Sequence, residues 1–150
     1  MENLRELGQL RKLWLDGAQI SDRGLESLKR LRQLRDLSLN GTNVTNAGLE
    51  SLKGLWQLQE LWLSRTKVTD AGLENLKGVS QLRVLSLDRT KVTNDGLEHL
   101  KRLSQLIHLS LNGTRVTNSA LTNLRQALPN CEIDFDGPTE GSLGEDETKP

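Results

Sequence analysis

Leu58-Gln59-Glu60-Leu61-Trp62-Leu63-Ser64-Arg65-Thr66-Lys67-Val68-Thr69-Asp70-Ala71-Gly72-Leu73-Glu74-Asn75-Leu76-Lys77 decides the fold, because its apolar period changes halfway along. Leu61 and Leu63 alternate around Trp62, as in a strand with one buried face, so Trp62 points outward. Leu73 and Leu76 lie three apart, as on one face of a short helix. Between the halves, Thr69 stands where a helix N-cap belongs, and Val68 before it can pack back on the helix as a hydrophobic staple.

The same pattern recurs at intervals of 24 residues, with L-x-x-L-x-L at Leu10–Leu15, Leu34–Leu39, Leu58–Leu63, Leu82–Leu87 and Leu106–Leu111. Each copy continues with Thr (Ala18 in the first), then Val or Ile, then a capping Ser or Thr at 21, 45, 69, 93 and 117. A small residue follows at Gly24, Gly48, Gly72, Gly96 and Ala120, and it should let neighbouring helices approach closely. Outer-face pairs such as Glu50/Lys53 and Glu98/Lys101 read as a solvated helix surface. One such unit cannot bury its own Leu face, whereas stacked copies bury it continuously. The expected fold is therefore an α/β right-handed solenoid, a short horseshoe with parallel strands about 4.8 Å apart on the concave face and short helices on the convex face. Inside the turns, the hydroxyls of Thr42, Thr66, Thr90 and Thr114 should satisfy backbone groups, and Ala18 should leave the first turn looser.

The string L-x-x-L-x-L-x-x-T-x-V-T-x-x-G-L-x-x-L-K resembles bacterial leucine-rich repeats of the Thr-containing, 24-residue type, often written with VTDAGL, which Val68–Leu73 matches residue for residue. It is also similar to the cysteine-containing repeats of F-box proteins, with Thr in place of Cys. The resemblance runs roughly from Met1 to Asp136 and implies a horseshoe that binds another macromolecule.

Domain organisation follows from where the pattern starts and stops. The repeat domain is expected over 1–137: a half-repeat at 1–7, five full repeats, and a terminal strand cap near 131–136. Residues 138–150 hold one Leu and four acidic residues, the composition of a disordered acidic tail. The half-unit at the start suggests self-association through the N-terminal end, or a longer array.

Function is narrowed mainly by exclusion. Among 150 residues, Lys+Arg and Asp+Glu number 20 each, which argues against nucleic acid or a charged membrane surface as partner. The lone Cys131 can form neither an internal disulfide nor a multi-Cys metal site. No signal peptide or membrane-length apolar run is present, so a soluble chain, cytoplasmic by default, is expected. His108 near Ser86, Ser110 and Asp88 evokes a hydrolytic triad, but an open sheet offers no oxyanion hole and excludes no water. The strand-end column Asp16, Asn40, Ser64, Asp88, Asn112 and Asp136 is accounted for by bonds to the following turn. No enzyme activity, cofactor or metal is expected.

What remains is a binding surface, and the copies differ from one another mostly on the outward strand positions. Lys12, Asp36, Glu60, Val84 and His108 form one variable column, and Trp14 and Trp62 stand out in the next; Arg35 and Arg83 lie at the approach to the strands. A protein partner on the concave strand face, anchored by Trp14 and Trp62, is the leading expectation. Glycan or cell-wall binding through the Trp pair, or substrate recognition in a ubiquitin-ligase-like assembly, are the alternatives. Trp56 is expected to be a local packing residue. A basic turn edge of Arg65, Lys67, Arg89, Lys91 and Arg115 is a second candidate site for an acidic partner or polyanion.

Overall fold

The computed structural model describes residues 8–137; the expected half-repeat at 1–7 and acidic tail at 138–150 lie outside them. Six three-residue strands, β1 Lys12–Trp14, β2 Asp36–Ser38, β3 Glu60–Trp62, β4 Val84–Ser86, β5 His108–Ser110 and β6 Glu132–Asp134, pair in parallel and in sequence order. The register steps by one repeat at a time, so Leu13, Leu37, Leu61, Leu85, Leu109 and Ile133 form one inward row. Strands this short suffice because each coil adds ladder bonds just past them, such as Leu39 N–H to Trp62 O at 2.9 Å and Leu63 N–H to Ser86 O at 2.8 Å.

Opposite the sheet run the helical segments α1 Asp22–Leu25, α2 Asn46–Leu49, α3 Asp70–Leu73, α4 Leu97–Leu100 and α5 Asn118–Ala127. The first four are single turns joined to 3-10 turns, such as Glu74–Gly78 after α3. A tighter helix spans a short segment with fewer residues, which fits a coil that must return to its strand within 24 residues. The longest is α5, with Ala120 where the other copies have Gly, and it stops before Pro129. Between the two layers the core is a stack of Leu and Val. Leu37, Leu61, Leu85 and Leu109 are fully buried, as are the helix residues Leu28, Leu52 and Leu100. Each contributes about 1.5–3 kcal/mol through removal from water.

Buried hydroxyls behave as expected. Thr42, Thr66, Thr90 and Thr114 each donate to the carbonyl three residues back (Leu39, Leu63, Leu87, Leu111) at 2.6–2.7 Å. The first turn, however, is no looser for lacking one. Its Ala18 N–H to Leu15 O bond is 3.1 Å, against 3.2–3.3 Å in the later copies, because the turn is closed by its backbone bond and the hydroxyl only adds to it.

Capping departs from expectation more instructively. Thr45, Thr93 and Thr117 accept a helix N–H, but Ser21 and Thr69 do not. The repeated polar residue is instead the one after each cap. Asp22, Asn46, Asp70 and Asn94 each reach across to the next coil and accept the backbone N–H of Thr45, Thr69, Thr93 and Thr117 at 2.7–2.9 Å. Three glycines of the small-residue column lie against these side chains, whereas at α5 Ala120 is accommodated with Asn94 still bonded to Thr117 (2.9 and 3.1 Å). A Cβ on Gly48, Gly72 or Gly96 would run into the Oδ1 of Asp22, Asn46 or Asp70 respectively.

Candidate interaction surface

Parallel pairing sets the outward strand residues side by side at ladder spacing. In the first column Lys12, Asp36, Glu60, Val84, His108 and Glu132 are neighbours; in the second, Trp14, Ser38, Trp62, Ser86, Ser110 and Asp134. The face has two ends of different chemistry.

At the N-terminal end, Lys12 Nζ bonds Asp36 Oδ2 at 2.6 Å and lies 5.9 Å from the centroid of the Trp14 ring. The Asp36 hydrogen bond, with that carboxylate's charge, raises the Lys12 pKa above its usual value. Asp36 is buried beneath this ammonium, whereas Trp14 is 57 % exposed. One carboxylate thus fixes a cation, and the cation lies near the face of a water-facing ring. Trp62 is half-buried, flanked by Ser38 and Ser86. Arg35 and Arg83 are exposed along the approach to the strands, and Ile107 follows them at 44 % exposure. At the C-terminal end His108 Nε2 stands 3.3 Å from Asp134 Oδ2, with Glu132 Oε2 4.0 Å from Nδ1.

Ser38 and the strand-end Asx residues do not project freely. Asp16 Oδ1 accepts from Ser38 Oγ and from Asn40 N–H (3.0 Å), Asn40 Oδ1 from Ser64 N–H (2.8 Å), and Asp88 Oδ1 from Ser110 Oγ (2.6 Å) and Asn112 N–H (2.8 Å). These residues stitch each coil to the next rather than capping their own turn. Ser110 and Asp88 therefore bond one another, with no bond from either to His108, and the imagined triad is not assembled.

Beyond the strands, the turn edge carries Arg65, Lys67, Arg89, Lys91 and Arg115, all exposed. Lys67, Lys91 and Arg115 pair by backbone with Thr45, Thr69 and Thr93 of the preceding coil, so they form an ordered row. A groove of about 640 Å³ runs along the edge, lined by the turn residues Gly17, Gly41, Arg65 and Arg89 with Asn40 and Asp88 among its walls.

A leucine-rich-repeat family pattern matches residues 31–53, the second strand and its helix. Among solved structures the chain is similar to internalin C2 from Listeria monocytogenes, with a TM-score of 0.72 and 24 % identity over 95 % of this chain. It is also similar to a leucine-rich-repeat protein of Leptospira interrogans, with a TM-score of 0.62 and 24 % identity over 88 % of this chain. The fold is a leucine-rich-repeat solenoid. The chain spans 60 % and 38 % of the length of those two proteins. No curated protein matches the sequence.

The sequence pattern also misassigned one of the tryptophans. Trp56 is not a packing residue: it is 56 % exposed, and the Arg32 guanidinium of the preceding coil lies 5.9 Å from its ring centroid. The signal was present, since Arg32 and Trp56 occupy the same position in adjacent copies and ladder stacking makes such residues neighbours. Among the described residues there is no cluster of His, Cys, Asp or Glu suited to a metal ion, and no helix is long and apolar enough to cross a membrane. Cys131 is half-buried, and burial first, then the nearby Glu132 charge, pushes its thiol up to about 11.

Proposed function

We propose that the chain is a protein-binding module over residues 1–137, that residues 138–150 form a separate acidic tail, and that the strand face receives the partner. Trp14 is the anchor, with Lys12, Arg35, Glu60, Trp62, Arg83, Val84 and His108 around it and Asp36 fixing Lys12 from below. The observation that carries this reading is a Trp ring 57 % exposed on the sheet, with the exposed Lys12 ammonium beside it and the buried Asp36 carboxylate fixing that ammonium. Large rigid rings with a pre-positioned cation are what interface hot spots are made of, because little conformational freedom is lost on binding. Mixed charge on the same face, with Arg35 and Arg83 against Glu60 and Asp134, suits the polar rim of a protein interface.

The test is capture from the native lysate by the full chain, identification of the captured protein, and titration of that protein in purified form. Trp14→Ala is expected to weaken binding by about 30-fold or more, the level of a hot spot, with the unfolding midpoint unchanged. Equal affinity of the wild-type and Trp14→Ala chains refutes the reading. A glycan array probed with both chains decides between protein and sugar: Trp14-dependent glycan binding in place of protein binding also refutes it.

A further inference from the structure

The turn edge carries a conformational anomaly that the strand-face reading leaves unused. Six successive turns place one residue at the same point of the coil: Gly17, Gly41, Arg65, Arg89, Gly113 and Gly137. All six have positive φ, from 55° to 80°. Glycine adopts this left-handed region freely, but an L side chain held there costs about 1–2 kcal/mol. In the two middle turns the chain carries arginine regardless. Neither guanidinium forms an ion pair with any carboxylate among the described residues, nor do Lys67, Lys91 or Arg115. Asp88 and Asp136, the nearest acids of the edge, are occupied with Ser110, Asn112 and Gly113. Five cations in two rows, two of them in strained turns, therefore lie exposed along the edge with no ion-pair partner among the described residues, and Arg65 and Arg89 share the 640 Å³ groove with Asp88 and Asp136.

We propose that this edge is a docking surface for acidic polypeptide, and that its occupant is the chain's own segment 140–147. Charge complementarity is one argument: Glu140, Glu145, Asp146 and Glu147 supply four negative charges to five positive ones. Covalent reach is the second. Gly137 is itself the sixth residue of the turn column, so the chain leaves the solenoid on the basic edge. Arg89 lies two coils away and Arg65 three, roughly 10 and 14 Å at ladder spacing. The eight residues from Gly137 to Glu145 span at most about 26–29 Å, enough to lay the acids across both. Arg89 already leans that way, its Cγ lying where a Cβ on Gly113 would come within 3.0 Å. A tethered segment acts at millimolar effective concentration, so it screens the edge from acidic segments of other proteins.

Two measurements on the full chain test the proposal. Carbodiimide coupling of the wild-type chain should join Lys67 or Lys91 to an acid of 140–147 in the monomer. The same links found only in dimers, or not at all, overturn it. Fluorescence anisotropy with a labelled synthetic peptide of residues 140–147 supplies the second readout. The chain with E140Q, E145Q, D146N and E147Q should bind that peptide at least 5-fold more tightly than wild type, with loss of binding at 0.5 M salt. Adding R65G and R89G to the neutralised chain should weaken peptide binding at least 10-fold without unfolding, since glycine is the residue these turns favour. Equal peptide affinity in the wild-type and neutralised chains, or an affinity indifferent to R65G/R89G, overturns the proposal.

Discussion

Gly72→Ala should destabilise the solenoid even though it lies in a helical turn, where the same change ordinarily stabilises by about 1 kcal/mol. The added Cβ has no room. It would collide with Asn46 Oδ1, which accepts Thr69 N–H at 2.8 Å while Asn46 Nδ2 donates to Thr69 Oγ1 at 2.7 Å. Ala120 sits beside Asn94 with both bonds to Thr117 intact (2.9 and 3.1 Å), but on the ten-residue α5. On the single-turn α3, displacing Asn46 breaks both inter-coil bonds and leaves a half-buried N–H unpaired, a loss of about 2–4 kcal/mol. The balance is about 1–3 kcal/mol destabilising. With a urea slope of about 2 kcal/mol per molar, the unfolding midpoint falls by about 0.5–1.5 M. A double-mutant cycle isolates the cause: Asn46→Ala vacates the space, so Asn46→Ala/Gly72→Ala should be no less stable than Asn46→Ala alone. Urea unfolding of the four proteins, followed by circular dichroism, measures both. A Gly72→Ala chain more stable than wild type, or strictly additive costs, refutes the interlock between the Asx ladder and the glycine column.

Arg65→Gly and Arg89→Gly should each raise stability by about 1 kcal/mol through relief of the left-handed turn (φ 58° and 55°), a gain of roughly 2–4 °C in thermal midpoint by scanning calorimetry; an unchanged or lower midpoint contradicts it. Cys131, with its pKa raised from 9.0 to about 11, should react with a thiolate-selective reagent at pH 8 about 100-fold more slowly than in urea-unfolded chain. The sign is fixed by the shift: the folded state keeps the proton that the unfolded state loses, so the thiol's contribution to stability is complete below pH 9 and is lost as pH rises through 11. Equal labelling rates in the two states count against that environment.

Repeat physics made the fold legible because one rule, applied every 24 residues, fixes strand, turn, helix and register together. The buried Leu rows and the Thr hydroxyls follow from patterning within a single copy. What sequence reading misjudged lies between copies. The caps were read from each copy alone, yet the residues after them bond the next coil, since stacking places each at the N–H of the residue 23 positions later. Trp56 looked like a packing residue because a loop position offers no periodicity to read; the neighbouring Arg32 acts on it only through the stack. On the strand face the columns themselves were legible, but the burial of Asp36 beneath Lys12 was not. That burial depends on which charges adjoin across the ladder; Trp14, on β1 with a described neighbour on one side only, is more open than Trp62, which has strands on both sides.

The three tryptophans offer the most direct measurement of the central claim, since two stand on the strand face and one on a loop. Hydroxyl-radical oxidation of the chain, read by mass spectrometry with and without its captured protein partner, reports the exposure of each ring. The account predicts that the partner protects Trp14 strongly and Trp62 further, while Trp56 oxidises as in the free chain. Protection of Trp56 with Trp14 left fully reactive would contradict it and move the binding surface off the strands.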